Sequence, residues 1–326
     1  MDSINISNFL YDSLSLIMLF AIFVYLKYFQ APFETGFYCT DHTIGLPYKS
    51  STVPNVLLLS VSVVLPIVVF LGTEVVRTFY MKNKNLWSAP LHLRNRYKII
   101  ISRKKFIEMP EQIGNILINY FNYFYGLLIV TNLTNIGKKS IGRLRPNFLS
   151  VCKPNEDPYG SICKSNDMIG YHAKYYVVPG VDFNCTGDKK DVSESRLSFP
   201  SGHASTAFYT AIFLILYVNR TWSKRNLSFV AQFFQFLLFA SAFYTGLSRV
   251  TDNKHHWSDV LAGSLLGTLV ATFKFYYLHL FFKRYNYKIK YESPGAKSIE
   301  TNEINNYTSN RKNSGTTKTE TDTINV

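Results

Sequence analysis

Charged residues are scarce in this chain, 17% of 326 positions, where an ordinary soluble domain carries about 25%. The shortage is one-sided: Asp and Glu total 21 against 35 Lys and Arg, for a formal net charge of +14. Cysteines number only four, and no His/Cys cluster has the spacing of a metal-ligand set. No internal repeat is visible, which excludes solenoid and array architectures. The N-terminus carries Asp2 but no Lys or Arg, and no small-residue cleavage site follows its first apolar run. That start does not fit a cleaved signal peptide, so the first apolar run is expected to remain as an anchor.

What the chain has instead is hydrophobicity in long blocks, with 16% aromatic residues. A helix needs about 20 residues to cross a bilayer, and six stretches approach that length. They are Phe9–Tyr28, Val53–Gly72, Ile113–Leu133, Ala204–Val218, Leu227–Leu247 and Val260–Phe282. The fourth is the shortest and reaches spanning length only if the polar Ser201–Ser205 turn begins the helix. The expected fold is therefore all-α: an integral membrane bundle of six transmembrane helices over residues 1–286. A disordered cytoplasmic tail is expected over residues 287–326, which are rich in Ser, Thr, Asn and Lys and lack apolar periodicity.

Six crossings put both termini on one side. The connections after the second, fourth and sixth stretches carry the Lys and Arg clusters, so that side is expected to be cytoplasmic. Flanking positive charge facing anionic lipid then accounts for most of the net charge, and no nucleic-acid partner is implied. Cys39, Cys152, Cys163 and Cys185 all fall in the outer loops. Four cysteines on the oxidising side are disulfide candidates, with three connectivities open. Asn184, in the sequon Asn184-Cys185-Thr186 of the same loops, is a glycosylation candidate.

Three short polar segments interrupt this pattern: Lys138–Pro146, Pro200–His203 and Ser248–Asp259. Each alone has a bland explanation as an interfacial anchor, a helix cap or a helix-surface pair. The topology nevertheless puts all three on the outer side, at the ends of spans and near headgroup depth. Anchoring and capping do not require that coincidence. A phosphate monoester carries about −1.5 to −2 charges at neutral pH, and these segments supply the cations, histidines and carboxylate that attacking one demands.

The patterns K-x6-R-P (Lys138, Arg145, Pro146), P-S-G-H (Pro200–His203) and S-R-x5-H-x3-D (Ser248, Arg249, His255, Asp259) resemble, in order, the three-part signature of the type 2 phosphatidic acid phosphatase superfamily. More narrowly, the chain resembles animal lipid phosphate phosphatases. Pro32–Cys39 and Leu46–Lys49 are similar to that family's first outer loop, and Gly142–Phe148 to its first motif region. The resemblance covers about residues 10–285. It implies dephosphorylation of lipid phosphates such as phosphatidate, lysophosphatidate and sphingosine or ceramide phosphate, without magnesium.

On that reading Lys138, Arg145 and Arg249 clamp the phosphate oxygens, with added donors from Ser201 and the Gly202 backbone at a helix N-terminus. His255 is the expected nucleophile, oriented by Asp259 accepting its other ring N–H, and His203 is the expected acid and base. His256 is expected to be a packing or interfacial residue. No cofactor and no metal are expected. The partners are lipid phosphate substrates and the bilayer, with a homo-oligomer left open. Localisation is expected in the plasma membrane with an extracellular site, or in internal membranes with a lumenal one. A phosphotransferase using the same site and an inactive interaction protein are the alternatives.

Overall fold

The computed structural model describes residues 2–38, 40–83, 96–102, 105–157, 176–180, 183–222 and 228–292. Six long helices dominate it: α1 (Ile6–Val24, continued by a π-helical turn Tyr25–Phe29), α2 (Asn55–Asn83), α3 (Glu111–Ile141), α6 (Gly202–Trp222), α7 (Ser228–Thr251) and α8 (Trp257–Glu292). Two short helices, α4 (Phe148–Cys152) and α5 (Lys189–Glu194), lie in the connection between α3 and α6.

Five segments are long and apolar enough to cross a membrane, by length and composition. They are Leu10–Phe29, Asn55–Thr78, Gln112–Ile141, Phe229–Thr251 and Trp257–Tyr277. The helix α6 is not among them; it packs against α2, α3, α7 and α8. It does begin at the polar turn, at Gly202, and so reaches 21 residues. Its polar side chains are satisfied by neighbours: the Thr210 hydroxyl pairs with the Tyr123 hydroxyl at 2.8 Å and Ser205 with Thr134 at 2.9 Å.

Tyr123 of α3 and Tyr209 and Phe213 of α6 stack in the interior with ring centroids 5.3 to 6.1 Å apart. Large apolar side chains on the outer faces, such as Leu14, Val64, Phe236 and Leu265, stay exposed, as a bilayer-facing surface requires. Between apolar helices in lipid, close packing and hydrogen bonds supply the attraction that water otherwise provides. The closest approach is between α6 and α8. A Cβ on Gly263 would lie 2.5 Å from the Ser201 carbonyl oxygen, and one on Gly267 would collide with that of Ser205.

The expectation of an all-α chain is corrected by short strands. β1 (Asp2–Asn5), β3 (Arg96–Ser102) and β4 (Lys105–Pro110) form a sheet in the order β1-β3-β4. The first pair is parallel from Asp2↔Tyr97 and the second antiparallel from Arg96↔Pro110. The basic connection contains Tyr97, Ile99, Ile100, Phe106 and Ile107, residue types that fit a pleated surface. A second pair joins β2 (Phe37–Tyr38) to β5 (Tyr176–Val177). The protein is mostly helical. The last helix continues to Glu292, past the expected boundary at 286, and residues 293–326 of the expected tail lie outside the described residues.

Candidate active site

The three motifs sit at one end of the bundle. Lys138 is in the last turn of α3, which Gly142 ends in the left-handed conformation at φ 62°, its N–H donating to the Lys138 carbonyl. A side chain on Gly142 would strike the Phe33 carbonyl, so the turn admits only glycine without rearrangement. This cap turns the chain so that Arg143 and Arg145 follow directly. Their backbones are tied to the segment before α6: the Ser198 N–H donates to the Arg143 carbonyl at 3.0 Å, and that of Arg145 to the Ser195 carbonyl at 2.8 Å.

The second and third motifs meet through the backbone. The Ser201 N–H donates to the Asp259 carbonyl at 3.0 Å, while the buried Ser201 hydroxyl accepts from the Ala204 N–H at 3.4 Å and caps α6. By position, the first amides of α6, Gly202 and His203 among them, have no intrahelical acceptor and favour an anion. Lys138 reaches this point: a Cβ on Gly202 would stand 3.4 Å from its Nζ.

Two histidines face backbone carbonyls. Nδ1 of His255, which is 3% exposed, lies 2.7 Å from the Ser198 carbonyl oxygen, and Nε2 of His203 lies 3.0 Å from that of Val53. A carbonyl only accepts, so each of these nitrogens carries the proton of the neutral ring. The free lone pair is then Nε2 on His255 and Nδ1 on His203. Burial, followed by the charges of Arg145 and Lys138, holds His255 well below the ordinary histidine range. His203, one residue ahead of the Ala204–Val218 stretch, is pushed down to about 4 by burial and then by Arg249.

Asp259 does not bond His255, contrary to the sequence expectation; its Oδ2 is 3.9 Å from Nδ1. It is fully buried and instead accepts from Arg143 and from the Ser198 hydroxyl, each at 2.5 Å. His256, expected as a packing or interfacial residue, donates its backbone N–H to Asp259 at 3.0 Å and sets Nδ1 at 3.2 Å from the same oxygen. Its Nε2 is 3.2 Å from the Thr43 hydroxyl.

Arg249 is 1% exposed and donates to Asp252 at 2.7 Å and to the Ser248 hydroxyl at 3.1 Å. Asp252 also receives the Thr52 N–H at 2.8 Å and hydroxyl at 2.7 Å. Arg145 pairs with Glu194 at 3.4 Å, yet its Nε is buried without a partner. The connection between α1 and α2 binds every motif: Leu46 N–H to the Pro146 carbonyl, Asn253 Nδ2 to the Pro47 carbonyl, Lys49 Nζ to the Thr251 carbonyl and His203 to Val53.

All eight residues expected at the site therefore lie in one connected cluster. The sequence missed Arg143, Ser198, Thr52, Val53 and Asp252. Asp252 had a signal, since it stands three residues after Arg249 in the same turn; Val53 and Ser198 meet the histidines through carbonyls, which leave none. Farther out, Cys152 and Cys185 form a disulfide across 33 residues, and Asn184 is exposed beside it. Cys39 and Cys163 lie outside the described residues.

The chain is similar to known proteins. The family model described as the PAP2 superfamily matches residues 119–283. Phospholipid phosphatase 2 of Homo sapiens is 34% identical over 274 residues, covering 84% of this chain and 83% of that protein. Phospholipid phosphatase 1 of Rattus norvegicus is 33% identical over 262 residues, 80% of this chain and 81% of that protein. No solved structure matches. The family model takes in all three motifs, and the relatives match four fifths or more of the chain: the chain belongs to the PAP2 superfamily.

Proposed function

We infer that this protein is an integral membrane lipid phosphate phosphatase. The reading rests on one observation above the others. Three motifs from distant parts of the chain bring cations together beside two imidazoles whose ring protons are held on opposite nitrogens by backbone carbonyls. Substrates of the class phosphatidate, lysophosphatidate, and sphingosine or ceramide phosphate fit a pocket at the end of an apolar bundle, where a headgroup meets the bilayer surface. The positive connections support an outward-facing site and cytoplasmic termini.

In this mechanism Nε2 of His255 attacks phosphorus while the bond from phosphorus to the lipid oxygen breaks. His203 donates the proton on Nδ1 to the departing alkoxide, giving the lipid alcohol and a phosphohistidine. Water then attacks phosphorus, Nδ1 of His203 takes its proton, and the phosphorus–nitrogen bond breaks to release phosphate. The cations of Lys138, Arg145 and Arg249 balance the charge on the transferring group throughout. Asp259 acts on His255 at one remove. It holds Ser198 by the hydroxyl while the carbonyl of the same residue orients the ring, and its charge lies close enough to favour the phospho-imidazolium.

Both histidines are neutral in the empty pocket at pH 7. The proton that His203 needs therefore comes with the substrate, whose second ionisation has a pKa of about 6. The test is phosphate release from phosphatidate in detergent micelles by purified protein, with EDTA present and His255→Ala as the control. Expected are free phosphate, insensitivity to EDTA and an acid-labile phosphoenzyme with labelled substrate. Substantial turnover by His255→Ala defeats the covalent route. Transfer of the label to an added alcohol without free phosphate indicates a phosphotransferase.

A further inference from the structure

Five cations surround the two histidines: Lys138, Arg143, Arg145, Arg249 and Lys254. Each arginine has its own carboxylate, Asp259 for Arg143, Glu194 for Arg145 and Asp252 for Arg249. Two lysines are left over, for among the described residues neither Lys138 nor Lys254 makes an ion pair. Lys254 is only 7% exposed, and its ammonium sits 3.6 Å from the centre of the Tyr48 ring. A buried ammonium facing one aromatic ring keeps most of its desolvation penalty unless an anion joins it.

The backbone fixes where this charge points. Asn253 adopts the left-handed conformation at φ 56°, and the N–H groups of Lys254 and His255 both donate to the Arg249 carbonyl. Lys254 is thus anchored at the nucleophile's own turn, with Tyr48 of the first outer loop as its opposite wall. The charged groups facing it are Arg145, Asp252, Arg249 and Asp191. Burial, and then Arg145, lower it to about 8, the direction an uncompensated ammonium takes.

We propose that Lys254 is a fourth phosphate-binding cation, which contacts a non-bridging oxygen of the substrate phosphate from the Tyr48 side and, with Lys138, matches the second negative charge of a monoester. The proposal rests on the lipid phosphatase reading and deepens it. Once its proton has passed to His203, a bound monoester carries two charges for the two unmatched ammonium groups, whereas a diester, with one charge and no such proton, leaves one of them buried and unpaired. The site therefore selects monoesters by charge count as well as by shape.

Lys254→Met keeps the stem that packs on Tyr48 and removes the charge, while Lys254→Arg keeps a cation. Each variant is compared with wild type for KM on phosphatidate and for competitive inhibition by inorganic phosphate. A hydrogen bond to a charged group corresponds to about 10- to 100-fold in affinity. Lys254→Met is expected to raise both constants by that factor with a much smaller change in kcat, and Lys254→Arg to stay within about threefold. Lys254→Gln is a second charge-free variant should methionine impair folding. If the charge-free variants keep both constants within about twofold of wild type, the proposal fails. Wild-type turnover in the same assay reports separately on the phosphatase reading: phosphate release by wild type with unchanged constants in Lys254→Met removes Lys254 from the site and leaves that reading standing.

Discussion

Nδ1 of His255 donates to the carbonyl oxygen of Ser198 across 2.7 Å, and this bond sets the ring's tautomer. In hydrolases whose carboxylate fixes the tautomer directly, its loss costs about four orders of magnitude in rate. Here a carbonyl does that work, so Asp259→Asn is expected to be milder. The variant should lose about 10- to 100-fold in kcat through a weaker hold on Ser198 and Arg143 and a missing nearby charge. Steady-state phosphate release checks this, and a loss equal to that of His255→Ala rejects the indirect role.

Arg249 is held by Asp252, and Asp252 by Thr52 of the connection between α1 and α2. Asp252→Asn should therefore weaken phosphate binding although Asp252 bears the wrong charge to touch phosphate itself. An increase in KM of about tenfold is expected, on the order of one charged hydrogen bond. Thr52→Val, which removes the hydroxyl but leaves the N–H bond, should show a smaller change in the same direction. An unaltered KM in both variants separates the loop from substrate binding.

The depressed histidines fix the direction of the pH response. In the free protein His203 is neutral above about 4 and burial holds His255 well below the ordinary histidine range, while the substrate loses its second proton near 6. The quantity kcat/KM is then expected to rise as pH falls from 8 to about 6, and to decline only at more acid values. An optimum at or above pH 8 contradicts proton delivery by the substrate. Stability should respond separately. Between about 6.5 and the folded values the unfolded chain binds more protons than the folded one. Thermal stability in detergent should thus be full above about pH 6.5 and decline as pH drops toward 4.

Gly142→Ala places a side chain at φ 62° against the Phe33 carbonyl. The left-handed conformation alone costs about 1–2 kcal/mol for an ordinary residue, and relief of the collision adds to it. Gly263→Val should act through another contact, prising α8 from the Ser201 carbonyl and carrying Asp259 and His255 away from His203. Both variants are expected to melt several degrees lower in detergent, with Gly263→Val also losing most activity. A Gly263→Val protein as active as wild type means the α6–α8 spacing does not govern the site.

The long apolar helices and the three motifs were legible because both rest on side-chain type at fixed spacing. Lys138, Arg145, His203, Arg249, His255 and Asp259 announce themselves as charge or imidazole where the chain is otherwise apolar. The strands were missed because the basic connection was judged by its charge, although its Ile and aromatic residues favour extended backbone. The partner of His255 was assigned to Asp259 because i, i+4 spacing on a continuous helix suggests contact. In the structure α8 starts only at Trp257, so His255 precedes the helix and its ring turns to Ser198 instead. Carbonyl acceptors such as those of Ser198 and Val53 have no signature at the level of residue type.

The loop that leaves the first helix is sewn to the turn joining the last two. A ribosome has therefore emitted nearly the whole protein before Thr52 can meet Asp252 or Val53 can meet His203. Until then the Arg249–Asp252 pair lacks its Thr52 support and the His203 ring its Val53 acceptor. Assembly of catalytic competence is in this way tied to completion of membrane insertion, and a chain stalled partway stays chemically silent.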